Sequence, residues 1–354
     1  MLPNNNKLSI IKLAACFNNT SASYKFYWLI SIIEAIESRN EYQSIVISKK
    51  EIFARMISNA WYPINYFHLS FGVQDKVKFA IENIAKYEKL SIDLNKNELF
   101  NAIVNSNNPM TINQLNQFDN NVPHWFLSPW FPGEKNKKTI YKKSHKFEEN
   151  CLYAIYGDHI VVNNDWIEYL LANSSIIKNY CFWRLTLYLQ SKNPNVPDIP
   201  NKIIKQAVRN SLDKQRKYWN IVFDNLKSIK CIYTKIDLHK EDYALDHFVP
   251  YNFVSHDLLW NLCPVEKKIN SKKSDRLPNI NLYFDMFFDI QFKGLSIVKE
   301  SQPNNKLLED YINIFGNIDI IDSVQFKERY YNLIQPLINI ASYNGFELFG
   351  DQGL

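Results

Sequence analysis

The 354-residue sequence predicts a mainly α-helical protein that carries one small β-containing module, α+β overall. Three observations carry that expectation. Apolar residues recur at helical spacing through the first half, as in Tyr24, Tyr27, Trp28, Ile30, Ile32 and Ile33. A β-rich run, KCIYTKIDL at residues 230–238, begins a stretch of different texture in the second half. Helical periodicity then resumes over residues 282–292, 306–315 and 323–340.

In chain order, Leu8 to Phe17 is a short periodic run that breaks at Asn18-Asn19-Thr20. Ser23 is placed to cap the next helix, which runs toward Glu37. Ser48-Lys-Lys-Glu51 matches a capping box, in which the serine takes a free backbone N–H and the glutamate reaches back. That helix is expected to stop near Trp61-Tyr62-Pro63, because a proline disfavours helix at the residue before it. Further helices are expected over residues 75–87 and 96–105. From Asn121, VPHWFLSPWFPGEKNKKTIYKK brings three prolines, Gly133 and basic residues alternating with apolar ones, which predicts an irregular segment and two or three strands through Val162. Helices resume at 164–172 and 174–190.

NPNVPDIP, with Pro194, Pro197 and Pro200, marks a domain boundary. Residues 1–193 then form a mostly helical recognition or regulatory region with a small β segment near 121–162, residues 201–300 a second module, and residues 301–354 helices packed on that module. Asn201 to Leu226 reads as one helix with Lys202, Lys205, Arg209, Lys214, Arg216 and Lys217 against two acids, Asp213 and Asp224. Such a row is either a solvated face or a helix tracking a phosphate backbone. Two short strands about the His239–Asp242 turn are expected to make a hairpin ending on Asp246, with a short helix over Pro264–Ser274. Asp351–Leu354 reads as a frayed end.

Hydrophobic residues at 46% and aromatics at 15% supply a sizeable core and exclude global disorder. A net charge of +5, from 41 basic and 36 acidic residues, is compatible with a polyanionic partner without requiring one. The cysteines, Cys16, Cys151, Cys181, Cys231 and Cys263, are odd in number and contain no CxxC pair, which disfavours zinc knuckles and a disulfide framework and points to a reducing cytoplasm. The apolar stretch Tyr27–Ile36 is too short to span a membrane, so no membrane association is expected.

Tyr243 to Pro278 concentrates the chemistry. It holds the pair Asp246-His247, the amides Asn261 and Asn270, and the cations Lys267, Lys268, Lys272, Lys273 and Arg276. A carboxylate and an amide oxygen suit a hard divalent cation, imidazole suits proton transfer at neutral pH, and lysine and arginine attract phosphate. Together these groups suit hydrolysis of a phosphodiester.

The spacing resembles the HNH nuclease family. Asp246-His247 is followed by Asn261 fourteen residues after the histidine, Asn270 nine further on, then Lys273-Ser274-Asp275, with Pro250 three residues after His247. The pattern is similar to the HNH domain of RNA-guided CRISPR effector nucleases, where the third motif position is also asparagine. The resemblance covers residues 230–282 and implies a ββα-metal module. It implies that Asp246 and Asn270 hold one Mg²⁺ or Mn²⁺, that His247 is the general base, and that Asn261 orients His247 or pins the loop. The lysines and Arg276 beside them read as a solvated helix face or as phosphate contacts, with Lys273, inside the matched motif, the foremost candidate for phosphate. One departure stands out: some family members carry an acid just before the third motif position, whereas Lys267, Lys268 and Ile269 occupy that place here.

His256 and Asp257 read as a hydrogen-bonded loop or helix cap before a second metal pair, Trp260 as core, Cys231 and Cys263 as buried thiols, and His124 and His145 as structural. The basic segment Lys135–Lys146 reads as a solvated loop, with a second nucleic-acid contact as the alternative. The leading functional expectation is a metal-dependent DNA endonuclease in restriction or anti-phage defence. An RNA-cleaving nuclease or toxin, and a non-catalytic nucleic-acid-binding regulator, are the alternatives. Double-strand cutting by a single site would call for a dimer or two visits, and a homodimer or a partner defence protein is the expected assembly.

Overall fold

The computed structural model of the chain describes residues 2–39, 44–204, 210–318 and 322–350. The fold is mainly helical with a few small sheets, and the chain divides into two compact units, Met1–Pro194 with Ile199–Lys205 and Asn195–Asp198 with Gln206–Leu354. Among the described residues no helix is long and apolar enough to cross a membrane.

The first unit is built around helix Tyr24–Glu37, buried along almost its whole length, with helices Lys49–Asn65 and Ser174–Lys192 packed against it. Ser48 caps Lys49–Asn65 by accepting the Glu51 N–H, but the Glu51 carboxylate is held by Arg39 and Arg55 instead of reaching back. The reciprocal box forms at Asn95 and Glu98, which opens helix Lys96–Val104. The expected stop before Pro63 does not occur. The helix runs through it to Asn65, because Trp61, Pro63 and Ile64 are buried and their packing overrides the local preference. A three-stranded antiparallel sheet completes this unit, with strand His159–Val162 between Val46–Ser48 and Tyr153–Ile155.

The basic segment expected to be irregular or extended forms helix Lys137–His145 instead. Asn136 caps it by accepting the N–H groups of Lys138 and Thr139. Ile140 and Ser144, four apart, are its buried side, so the lysines around them are the outward face of a helix.

The second unit contains the ββα module and its bracing helices. The expected single helix over residues 201–226 is absent. Helix Pro200–Ile203 belongs to the first unit and ends at Ile204, whose backbone is extended, while a new helix begins at Asp213 behind the hydroxyl of Ser211. Lys205 and Arg209 lie outside the described residues. Lys202 is buried, and the Arg216 guanidinium lies over the Tyr243 ring at 5.0 Å, so the cationic row shrinks to Lys214 and Lys217.

The hairpin also differs from expectation. Ile229–Lys230 pairs with Asp237–Leu238 through a tight turn closed by the Cys231 N–H to the Ile236 carbonyl, and neither strand reaches the Asp-His pair. Strand Ala244–His247 instead pairs antiparallel with Leu262–Val265, a strand read from sequence as loop and helix start. The two are separated by the loop of residues 248–261, and pairing over such a span leaves no local signature. Helix Lys267–Lys273 follows, packed on Ala244–His247, and gives the ββα order.

Helices Ile280–Ser301, Glu309–Phe315 and Ser323–Tyr343 brace this module. Phe287 stacks on Phe248 at 4.0 Å, and Phe288, Phe315, Phe326 and Tyr330 continue the aromatic core. Gly294 lets Ile280–Ser301 approach helix Asp213–Leu226, since a Cβ there would lie 3.2 Å from the Trp219 ring. Residues 351–354, read as frayed, lie outside the described residues.

Candidate active site

The strand pair places Asp246 opposite Cys263 and His247 opposite Leu262, so the Asp-His pair sits at the end of a two-stranded ladder that holds its backbone. Asp246 is 4% exposed and His247 7% exposed. A carboxylate that deep needs partners, and it has two. The Tyr233 hydroxyl donates to Oδ2 at 2.9 Å and the Lys273 ammonium to Oδ1 at 3.1 Å. Burial, reinforced by the Asp246 charge, pushes the Tyr233 phenol far above its ordinary range, so it stays a neutral donor.

Lys273 is fully buried. Its second bond runs to the His247 carbonyl at 2.8 Å, so one ammonium ties the end of the helix to both residues of the pair. This corrects the expectation that Lys273 meets phosphate: its charge is turned inward and committed to Asp246. Arg276 and Lys267 are also engaged. The guanidinium closes the end of helix Lys267–Lys273 through the carbonyls of Lys272 and Lys273 and lies over Phe349, and Lys267 pairs with Asp242 at 3.0 Å. Lys268 and Lys272 remain exposed with no ion pair among the described residues.

Asn261 is fully buried and reads the backbone beyond the histidine. Its Oδ1 accepts the Val249 N–H and its Nδ2 donates to the Val249 carbonyl, both at 2.8 Å, while its own carbonyl accepts the Phe248 N–H. A side-chain amide carries the donor and acceptor of one peptide unit, so it closes the loop like a third strand. Asn270 lies one helical turn before Lys273 on the same face, half-buried, with no side-chain hydrogen bond among the described residues. The structure thus brings Asp246, His247 and Lys273 into direct contact, sets Asn270 on the helix face that meets their strand, and gives Asn261 to the loop.

Two residues of the site were missed from sequence. Tyr233 has no motif around it. Asp257, read as a loop or cap residue, has its Oδ1 2.9 Å from His247 Nε2. A carboxylate only accepts, so Nε2 carries the proton in that bond and Nδ1 is the ring nitrogen left to act as a base. The loop holding Asp257 is fixed from behind. Asp310 accepts the Leu259 N–H at 2.9 Å, Gln291 donates to the carbonyls of Leu259 and Leu262, and the Tyr330 hydroxyl donates to the Trp260 carbonyl. His256 packs on Trp260 at 5.1 Å, and Trp260 is core. Cys231 and Cys263 are buried free thiols, and burial raises the Cys263 pKa well above its ordinary value.

The donor set fits a hard cation. Each Asp246 oxygen keeps a lone pair beyond its one hydrogen bond, Asn270 offers a second oxygen, and no thiolate is at hand. Among the described residues no group of three or more His, Cys, Asp or Glu is arranged to hold a metal, so a cation here would complete its shell with water and phosphate oxygens.

A family model for the HNH endonucleases matches residues 231–279. No curated protein and no solved structure matches the chain. The match begins at Cys231, before Tyr233, and ends just past strand Leu277–Pro278, enclosing the strand pair, the pinned loop and the helix described above. Over residues 231–279, in its second unit, the chain is similar to an HNH endonuclease module.

Proposed function

We propose that this chain is a metal-dependent endonuclease that hydrolyses phosphodiester bonds in DNA, with His247 as general base and Asp246 and Asn270 holding one Mg²⁺ or Mn²⁺. The observation that carries the reading is the bond from His247 Nε2 to Asp257 at 2.9 Å, beside a carboxylate buried with oriented partners. An imidazole whose one nitrogen is held by a carboxylate has its tautomer and ring orientation fixed for proton transfer at the other.

Bound at Asp246 and Asn270, the cation would supply Lewis-acid polarisation of the phosphate and stabilise charge on the leaving oxygen. The chain's own residues do the rest. His247 Nδ1 takes the proton of the attacking water, and Asp257 stabilises the imidazolium that forms. Tyr233 and Lys273 act as positioning residues by fixing the Asp246 carboxylate, as outer-shell partners do for metal ligands. Lys273 also holds the His247 carbonyl, which couples the position of the base to that of the carboxylate. Asn261 fixes the chain leaving His247. Lys268 and Lys272, exposed on the helix that carries Asn270, are candidates for substrate phosphates. Restriction or anti-phage defence is the biological setting that we infer by analogy with such modules, with DNA as partner and a homodimer or partner protein wherever both strands are cut.

Nicking of supercoiled plasmid in Mg²⁺ tests this directly. The wild-type chain should cut, EDTA should abolish cutting, and His247→Ala should lower the rate about 100- to 10,000-fold with an unchanged thermal unfolding midpoint. Cleavage of RNA alone would move the substrate class, and binding without cleavage would sink the catalytic reading.

A further inference from the structure

The first unit carries a second basic surface that the site chemistry does not use. Helix Lys137–His145 presents Lys138, Lys142 and His145 at positions i, i+4 and i+7, and Lys146 at i+8 extends the row, all exposed. Of the surrounding cations, Lys137 is paired with Asp119 at 3.4 Å and Lys49 with the same carboxylate at 2.6 Å. Lys135, Lys138, Lys142, Lys143 and Lys146 have no ion pair among the described residues. Lys135, Lys138, Lys142 and Lys146 are exposed, while Lys143 lies over the Phe131 ring at 5.7 Å.

Beside this row lies an aromatic stack. His145, at the end of the helix, lies parallel to Tyr156 with centroids 4.4 Å apart and planes 9° apart. Tyr156 in turn lies parallel to His159 at 4.8 Å and 10°. Tyr156 and His159 close the Gly157-Asp158 hairpin turn, with the Tyr156 N–H bonded to the His159 carbonyl, so their rings stand opposite each other across the ladder. The rings are locked in place. His145 Nε2 donates to the Ile155 carbonyl at 2.7 Å, and Asp158 Oδ1 lies 2.7 Å from His159 Nδ1. Underneath, the buried Lys49 ammonium donates to the Gly157 carbonyl at 3.0 Å, and the Asp158 carbonyl accepts the Lys49 N–H. Three parallel rings ending in an exposed imidazole, rimmed by free lysines, present a π-face and a row of phosphate partners together. Carboxylates near the row are few or engaged: Glu149 pairs with Lys12, and Asp158 holds His159, leaving Glu134 and Glu148.

We propose that this surface binds single-stranded nucleic acid, the backbone lying along Lys138, Lys142 and Lys146 and one base extending the stack on His145. Duplex DNA would meet the lysines but offers no unstacked base to the imidazole, so the stack selects a single strand or a frayed end. The inference rests on the proposed function only for the class of partner, and binding is measured without turnover, so a chain that never cuts still reports on this surface.

The test uses the full-length His247→Ala chain and a fluorescein-labelled oligothymidine, with affinity read by anisotropy across a salt series. The triple variant Lys138→Gln, Lys142→Gln, Lys146→Gln should bind more weakly and lower the log–log salt slope by about 2, from about 0.7 per phosphate contact. His145→Ala should weaken binding about 5- to 150-fold with the slope unchanged, and His145→Phe should restore most of it. Unchanged affinity and slope in the lysine variant would overturn the surface. A His145→Ala chain that binds like its parent would overturn the stacking assignment.

Discussion

Two buried lysines, one in each unit, show how the same side chain serves two different ends. Lys49 reaches Asp119 at 2.6 Å, a carboxylate that is 29% exposed and shared with Lys137, and its remaining bonds go to Tyr141 and the Gly157 carbonyl. Lys273 reaches Asp246 at 3.1 Å with side-chain exposures of 0% and 4%, and its other bond holds the backbone of the catalytic candidate His247. Two buried histidines divide the same way. His124 is 4% exposed, its Nδ1 has no hydrogen-bond partner among the described residues, and burial with Lys137 beside it lowers its pKa to about 4. His247 is nearly as buried yet has a carboxylate on Nε2. In the first unit the buried polar groups fasten a platform and water reaches part of the network. In the second they are closed around a buried carboxylate and a buried imidazole.

That contrast is open to direct attack. Lys273→Met leaves the buried Asp246 carboxylate with a single neutral donor, so urea unfolding should show a loss of roughly 3–5 kcal/mol. Lys49→Met should cost only about 1–2 kcal/mol, because Asp119 keeps Lys137 and its own access to solvent. Equal losses would mean that the two pairs are energetically alike.

A smaller effect separates the histidines. His124 titrates at its ordinary value when unfolded and at about 4 when folded, so the unfolded chain binds the proton first. Its contribution is complete above about pH 6.5 and declines as the pH falls toward 4. The urea midpoint of the first unit should follow that decline, and His124→Phe should flatten it. A midpoint equally pH-dependent in His124→Phe would assign the titration to other groups.

Much of this architecture was legible in the sequence, for identifiable reasons. Helices were legible where a cap coincided with periodic apolar residues, as at Ser48, and missed or misread elsewhere, as over Pro109–Asn116 and where lysines masked a period of four at Ile140 and Ser144. The long basic helix failed because a charge row says nothing about backbone continuity at Ile204. The strand Leu262–Val265 failed because its partner lies on the far side of a loop, and local composition does not encode a distant pairing. The grouping of Asp246, His247, Asn261, Asn270 and Lys273 was legible as spacing alone, since strand, pinned loop and helix fix how many residues separate them. The contacts were not. Whether Lys273 points at phosphate or at Asp246 depends on burial, and Asp257 and Tyr233 reach the site from segments without a motif.

The central claim is that Asp246, although held by Lys273 and Tyr233, is a working metal ligand. Electron paramagnetic resonance of Mn²⁺ titrated into the full-length chain tests it without reference to cleavage. The wild-type and Lys49→Met chains should each remove about one equivalent of Mn²⁺ from the free-ion signal, as one six-coordinate site would, and Asp246→Ala should remove none at the same concentrations. An Asp246→Ala chain that binds Mn²⁺ as tightly as the wild type would contradict the assignment.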